Sequence, residues 1–586
     1  MAGPARGPQI RSCNTAGQIA VCLGTMGMAM PQSFDSALPC ARERNTSRPL
    51  MLVGFQHQAN LGLGYVASYL EKFGYRVEVL DFESAPEDVL ARARELKPLL
   101  IGFSLIFQFY VHRFAALIRY LRLNGVACHF TMGGHFPSLS YQHALELISG
   151  LDSVVRFEGE LTLLELADSL GTGRDWRGLQ GIAYARHGEV VATPLRRLIA
   201  DLDELPYPKR ANTRQNMVLG RVATSLVASR GCVRTCSFCS IHKFYRSVPG
   251  KVVRTRQPAR VAEEMRHLHD RDGITVFLFE DDDFPLYGPA FQRWTNQFVE
   301  ALYRVDLPGR AVWKINCRAD AIEPELFSTL REAGLYFVYI GLESGNDLGL
   351  ATLHKQTTVA QNLRAIDVLK RLGIQFEYGY MLFDPSSTFA SVRANIEFLR
   401  RIVGDGSAAA MFGRTIPYDG TPIKEQLALE GRLRGDICNP DYEFLEPGLA
   451  EFCAELSSTN HTTGWLPEQG SLSRHLACAI HEIAILERLF PPLAGFAEYR
   501  RAIAEITAAS NLMLFQFIED LSYKYSDGRP HGWRVEELAG QRERFVDALL
   551  SARNQFIARH QEVLLQTIEG PDRGLSRSAF AAATSA

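Results

Sequence analysis

Three cysteines fall within the stretch GCVRTCSFC, at Cys232, Cys236 and Cys239, separated by intervals of four and three residues. In a compartment that keeps thiols reduced, thiolates gathered this closely point to metal. A structural zinc site generally takes four protein ligands, and three thiolates leave it one short. A 4Fe-4S cluster held by three cysteines keeps one iron open, and an open iron can bind and reduce a substrate. The competing reading is three reduced cysteines with no metal.

Two series of strands and helices must position this chemistry. The first starts near Pro49, where PLMLVGF reads as a buried strand. Leu63, Val66, Leu70 and Phe73 recur at helical spacing, and YRVEVLDF reads as the next strand. The pattern continues with a helix over Ala85–Leu96, a strand ending at Ser104, a helix over Val111–Leu123, a strand ending at Gly133 and Gly134, and a strand SVVRF ahead of Gly159 and Glu160. Apolar strands alternating with helices imply a doubly wound, Rossmann-like parallel sheet, which binds ligands at the carboxyl ends of its strands. Those ends carry Ser104, the segment GGHFPS (Gly133–Ser138) and the segment FEGE (Phe157–Glu160). GGHFPS reads either as a plain turn or as a close backbone approach to a ligand.

The second series places strands at Val222–Ser229, Ile274–Phe279, Ala311–Asn316, Tyr336–Gly341, Phe376–Leu382 and Ala408–Arg414. Six parallel strands with helices between them make a partial (β/α)6 TIM-like barrel, with chemistry at the carboxyl ends. The cysteines follow the first of these strands. Beyond it, Leu472, Leu476, Ile480 and Ile483, then Ile503, Leu514 and Ile518, then Phe545, Leu549 and Phe556 recur at helical spacing, which predicts a helical C-terminal domain that closes the barrel mouth. The expected organisation of this α/β chain is a disordered extension at 1–47, the first α/β domain at 48–170, a linker at 171–214, the barrel at 215–438, helices at 439–569 and a disordered tail at 570–586.

Composition narrows the classes. Lys and Arg number 63 against 65 Asp and Glu among 586 residues, a net charge of -2 that argues against a nucleic-acid-coating protein. Hydrophobic residues at 46% and charged residues at 22% exclude a wholly disordered or collagen-like chain, and 11 unevenly spaced cysteines exclude a disulfide framework. No window reaches the ~18 consecutive apolar residues of a membrane span. The faintly signal-like run Ala16–Met30 lacks a clear cleavage site. A cytoplasmic protein is expected.

The CxxxCxxC pattern of Cys232, Cys236 and Cys239, with Phe238 ahead of the last cysteine, resembles the signature of radical S-adenosylmethionine enzymes. The resemblance implies an open iron that chelates S-adenosylmethionine and a 5'-deoxyadenosyl radical that abstracts hydrogen. It places Glu280, Asp281 and Asp282 of FEDDDF where the family contacts the methionine amino group; acidic caps on a following helix are an equal reading. Arg318 in NCRAD reads as a partner for a carboxylate or as a solvated arginine. Glu343 in GLESG matches a recurring family position, with Gly341 and Gly345 leaving room for ribose or methionine. LHKQTT and RTIPYDGTP also resemble family segments.

A doubly wound domain with LGLGYVASYL, GGHFPS and FEGE directly before such a barrel resembles the cobalamin-binding branch. Other cobalamin proteins supply a lower axial histidine from Asp-x-His-x-x-Gly; the corresponding loop here is QHQANLG, with Phe55 two residues before His57, so His57 receives no cobalt role. The branch implies a 4Fe-4S cluster, S-adenosylmethionine and cobalamin as cofactors. It also implies a small-molecule or peptide substrate and an electron donor such as flavodoxin or ferredoxin. The expected activity is methylation of an unactivated carbon through methylcobalamin. The alternative is a cyclase, rearrangement or oxidation enzyme of the same branch. Methylthio transfer would need further cluster cysteines, and the first α/β domain has only Cys128; a non-catalytic scaffold would have little reason to keep all three cysteines and Glu343.

Overall fold

A computed structural model describes residues 44–56, 60–210, 217–219, 221–466 and 470–566. Most of the extension expected over 1–47, His57, the end of the linker at 211–214 and the tail at 570–586 lie outside the described residues.

The first apolar runs form β1 (Leu50–Gly54), β2 (Val77–Asp81), β3 (Leu100–Ser104), β4 (His129–Gly133) and β5 (Ser153–Val155). They pair in parallel in the order β2-β1-β3-β4-β5. Helices α1 (Leu61–Lys72), α2 (Pro86–Leu96), α3 (Val111–Leu123), α4 (His135–Leu139), α5 (Tyr141–Leu147) and α6 (Glu160–Thr172) lie between and after them. Successive β1 side chains face opposite ways: Leu50 and Leu52 join one apolar cluster, Met51 and Val53 another. The sheet is therefore covered on both faces. Strand order reverses between β1 and β3, which opens a ligand crevice at their carboxyl ends, where Gly54 and Ser104 are paired neighbours.

This sheet has two further strands in the stretch expected to be a linker. β6 (Ile182–Arg186) pairs antiparallel with β5, and β7 (Glu189–Ala192) with β6. His187 and Gly188 turn between them with φ of 53° and 84°, the two positive values a tight hairpin turn requires.

The second sheet contains β8 (Met217–Val218) and β9 (Arg221–Leu226); β10 (Ser229–Arg230) and β11 (Arg254–Thr255) form a separate short ribbon. It continues with β12 (Ile274–Phe279), β13 (Val312–Arg318), β14 (Leu335–Glu343), β15 (Gln375–Phe383) and β16 (Gly413–Arg414). From β9 to β16 the strands are parallel and follow chain order, giving a curled half-barrel. Its helices are α7 (Ser240–Arg246), α8 (Pro258–Asp272), α9 (Pro289–Arg304), α10 (Pro324–Glu332), α11 (Asp347–Thr352), α12 (Val359–Leu372), α13 (Phe389–Val403) and α14 (Pro422–Leu429). Proline at the first position of α8, α9, α10 and α14 fixes φ where no intrahelical N–H bond is needed. Capping boxes at Thr358 and Thr388 start α12 and α13. A hairpin of β17 (Leu433–Gly435) and β18 (Pro440–Tyr442) follows.

The strand expected over Ala408–Arg414 shrinks to its last two residues. The side chain of Asn511 donates to the carbonyls of Val403 and Ala408 at 2.8 and 2.9 Å and accepts from the Ala410 amide at 2.8 Å, taking backbone groups that a strand would have paired.

Helices α15 (Leu449–Thr463), α16 (Leu472–Leu489), α17 (Phe496–Asp527), α18 (Val535–Arg559) and α19 (Gln561–Gln566) complete the described chain. Their apolar faces share one continuous core with the half-barrel. Helix α16 does not lie over its mouth. Arg488 and Leu489 of α16 bond to Leu335 and Arg221, the first residues of β14 and β9, and His481 stacks on Phe337 at 4.9 Å. The helix thus lies across the amino ends of the strands. None of the described helices is long and apolar enough to cross a membrane.

Candidate active site

The cysteine loop leaves β9 through β10 and runs into α7. Gly231 has φ of +91°, and a Cβ there would stand 2.1 Å from the Val252 carbonyl, so only glycine admits the turn that presents Cys232. Further along, the Ser237 amide donates to Leu353 at 3.0 Å and its hydroxyl to Thr352 at 2.9 Å, while the Ile423 amide donates to the Ser237 carbonyl at 3.0 Å. Phe238 packs into an apolar cluster with Leu353, Ile423 and Leu427. Cys236 is buried, and Cys232 and Cys239 are partly so. Burial pushes the thiol of Cys232 up to about 12 and that of Cys239 up to about 11.

Three of the four acids of FEDDDF, Glu280, Asp281 and Asp282, diverge. α9 starts only at Pro289, behind Gly288, so none of them caps it. Asp281 is buried and accepts from the Ala228 amide at 3.1 Å and the Ser229 hydroxyl at 2.5 Å, and burial raises it to about 7. It holds the strand that leads to the cysteines. Asp282 accepts from the Gly231 amide at 2.9 Å and stays accessible to solvent. Glu280 is also exposed, 3.3 Å from the Asn316 amide and 3.9 Å from Lys314. Of these three, Glu280 and Asp282 have room for a cationic ligand group.

Arg318 ends β13 and is buried, not solvated. Its carboxylate partner belongs to its own chain: Nε donates to Asp320 at 3.1 Å, while Nη1 points at the Cys236 sulfur at 3.5 Å and Nη2 donates to the Lys355 carbonyl. Asp320 also pairs with Arg234 of the cysteine loop at 2.7 Å. Glu343 ends β14 with φ of +66°, a conformation that costs a non-glycine residue about 1–3 kcal/mol and clusters at functional sites. Lys355 donates to it at 2.7 Å. The glycines beside it serve this arrangement rather than open space. A Cβ on Gly341 would meet Glu343 and Lys355 at 2.7 Å, and one on Gly345 would meet the Phe398 Cβ at 2.3 Å.

The carboxyl ends of the first sheet face the same place. Gly134 follows β4 with φ of +113°, and a Cβ on it would strike the Leu105 carbonyl at 2.2 Å, so its close approach is to backbone of its own domain. A Cβ on Gly133 would lie at ordinary contact distance, 3.4 Å from the Val155 carbonyl. Gly134 leads into α4, where His135 stacks on Phe244 of α7 at 4.3 Å. Behind Gly159, Glu160 starts α6 and accepts from Arg230 at 2.7 Å; Arg230 also pairs with Glu158 at 3.1 Å, and Arg254 with Glu158 at 2.9 Å. Burial alone would raise Glu158, but Arg230 and Arg254 outweigh it and hold its carboxyl below the usual range. Gln108, past Ser104, accepts from the Asp419 amide at 2.8 Å, beyond the end of β16. The segments that follow the two sets of strand ends are therefore bonded to each other.

Among the described residues no three His, Cys, Asp or Glu side chains converge as ligands of a single ion would. A cluster does not need that convergence, because each thiolate bonds its own iron. Soft thiol donors on one loop, with a guanidinium beside Cys236, fit such a cluster.

The sequence offers the three cysteines, the acids, Arg318 and Glu343 as candidates. It does not assign Arg230, Asp320 or Lys355. Arg230 directly precedes Gly231 and Cys232, and Lys355 stands in LHKQTT, so each was visible as a charge beside a motif; their partners emerge only from the fold.

Residues 50–167 match the family described as B12 binding domain, and residues 226–388 the Radical SAM superfamily. An uncharacterized methyltransferase of Pyrococcus horikoshii is 27% identical over 377 residues, covering 62% of this chain and 77% of that protein. An anaerobic magnesium-protoporphyrin IX monomethyl ester cyclase of Rubrivivax gelatinosus is 30% identical over 369 residues, 60% of this chain and 63% of the cyclase. The fold is similar to that of the radical S-adenosylmethionine methyltransferase TsrM from Kitasatospora setae with cobalamin and a [4Fe-4S] cluster bound, with a TM-score of 0.60 and 18% identity over 87% of this chain and 99% of that one.

Proposed function

We propose, for a chain that belongs to the radical S-adenosylmethionine enzymes carrying a B12 binding domain, that it methylates an unactivated carbon of a small-molecule or peptide substrate. The observation that carries this reading is the meeting of the two sets of strand ends, locked by Arg230 with Glu158 and Glu160. Each fold binds its ligand at those ends, so a cofactor on either side opens onto the same cleft. Cys232, Cys236 and Cys239 are proposed as cluster ligands, Glu280, Asp282 and Glu343 as contacts to S-adenosylmethionine, and the crevice beside Ser104, Gly133 and Gly134 as the cobalamin seat. Bound there, the cluster would supply an electron to S-adenosylmethionine, and cobalamin would carry a methyl group. The chain's own part is to hold the sulfurs in a largely buried loop, keep Glu343 oriented through Lys355, and bring the two seats together. A flavodoxin or ferredoxin is the proposed electron donor.

The test is product analysis with S-adenosylmethionine labelled in its methyl group. Label on a substrate carbon together with S-adenosylhomocysteine is expected. 5'-Deoxyadenosine with neither S-adenosylhomocysteine nor labelled product would remove the methyltransferase reading. It would favour the second one, a ring-forming or oxidising enzyme, which the 30% identity to the cyclase supports.

A further inference from the structure

The charges around the cysteine loop are uneven. The Cys232 sulfur lies 3.9 Å from a carboxylate oxygen of Asp283. The Cys236 sulfur instead receives Nη1 of Arg318 at 3.5 Å, in a buried setting. Every part of that guanidinium is fixed: Nε on Asp320 and Nη2 on the Lys355 carbonyl leave Nη1 no direction but the sulfur. Asp320 in turn is shared with Arg234, so it offsets only part of the charge of Arg318.

We propose that Arg318 is a positioning residue that sets the reduction potential of the cluster by donating an N–H to the Cys236 sulfur, rather than a ligand for the carboxylate of S-adenosylmethionine. The inference rests on the reading that the three cysteines hold a 4Fe-4S cluster. A one-electron reduction makes the cluster one charge more negative, and a buried guanidinium on one of its sulfurs favours the reduced form. Without it, reduction from the donor becomes harder, while the three thiolates remain in place.

The experiment is a potentiometric titration, followed by electron paramagnetic resonance, of the anaerobically reconstituted full chain without S-adenosylmethionine. Iron and sulfide content are measured in parallel. In Arg318→Met, iron content is expected to match wild type, and the ratio of reduced to oxidised cluster at a fixed potential to fall about tenfold, equivalent to about 59 mV for a one-electron couple. Asp320→Asn keeps Arg318 and removes its counter-charge, so the ratio should rise. Normal iron with an unchanged ratio in Arg318→Met overturns the inference and leaves the cluster reading intact. A wild-type chain that takes up no iron and sulfide overturns the cluster reading itself. If Arg318→Met does not fold, Asp320→Asn decides alone, and a ratio that falls or stays constant there overturns the inference.

Discussion

Arg230 and Glu160 meet at 2.7 Å, one at the threshold of the cysteine loop and the other at the start of the helix behind β5. With Glu158 on the same guanidinium, this pair joins the two sheets through buried charge. Removing Arg230 leaves Glu160 a buried carboxylate without its cation, at a cost of about 3–5 kcal/mol, while Glu158 keeps Arg254. Arg230→Met should therefore lower the thermal midpoint and expose the connection between the sheets to protease. Adding Glu160→Gln should recover part of the loss, and two purely additive losses would show that the residues are not coupled.

Glu158 and Asp281 contribute to the pH dependence of stability in opposite senses. Glu158 lies below its ordinary value when folded, so its contribution is present above that value and is lost as acid takes the pH down through its depressed pKa. Asp281 is raised from 3.8 to about 7, so its contribution is full below 3.8 and is lost as pH rises to about 7. Asp281→Asn should leave the cluster-free chain gaining stability relative to wild type between pH 5 and pH 8. A constant difference between the two proteins across that range would contradict the burial of the Asp281 carboxyl.

Cys236→Ala removes the most buried of the three thiols. Reconstitution should then give little iron, no broad visible charge-transfer absorption and cleavage of S-adenosylmethionine at background level. Far-ultraviolet circular dichroism should stay unchanged, because the loop belongs to neither apolar cluster of the first sheet. Cleavage at the wild-type rate would exclude Cys236 as a ligand.

Glu343 is held in a strained conformation by Lys355. If it contacts S-adenosylmethionine, Glu343→Gln should weaken binding by roughly 10- to 100-fold, since a hydrogen bond to a charged group contributes about 1.5–3 kcal/mol. Equilibrium dialysis with the labelled cofactor measures this directly. Unaltered affinity would restrict the residue to a structural role.

Asn511 replaces a strand neighbour for the segment between α13 and β16. Asn511→Ala strips partners from three buried backbone groups and should cost about 3 kcal/mol in chemical unfolding.

The features legible in the sequence are those that depend on local pattern. Strand and helix alternation gave both sheets, and the helix over Val111–Leu123 coincides with α3 because its apolar period and Asn124 end together. The cysteine spacing was likewise visible. The shortened strand before Arg414 was not, because its competitor is a side chain about 100 residues further on. The hairpin of β6 and β7 was hidden by its polar outer residues, although His187 and Gly188 stood between alternating runs. Arg318 reads in the sequence either as a partner for a carboxylate or as a solvated arginine; its partners Asp320, Cys236 and Lys355 depend on the fold.

The half-barrel and the C-terminal helices have one apolar interior, whereas the first sheet keeps its two apolar faces largely to itself and meets the barrel mouth through the ion pairs of Arg230 and a small apolar cluster of Phe157 with Phe244, Tyr245 and Val248. The two parts therefore have different freedom to change over evolution. Trimming the helices would tear open the barrel's own interior, so barrel and helices must be inherited as a block. The first sheet can be exchanged for a relative's, provided that the newcomer presents acids where Glu158 and Glu160 stand and an apolar side chain where Phe157 packs on Phe244.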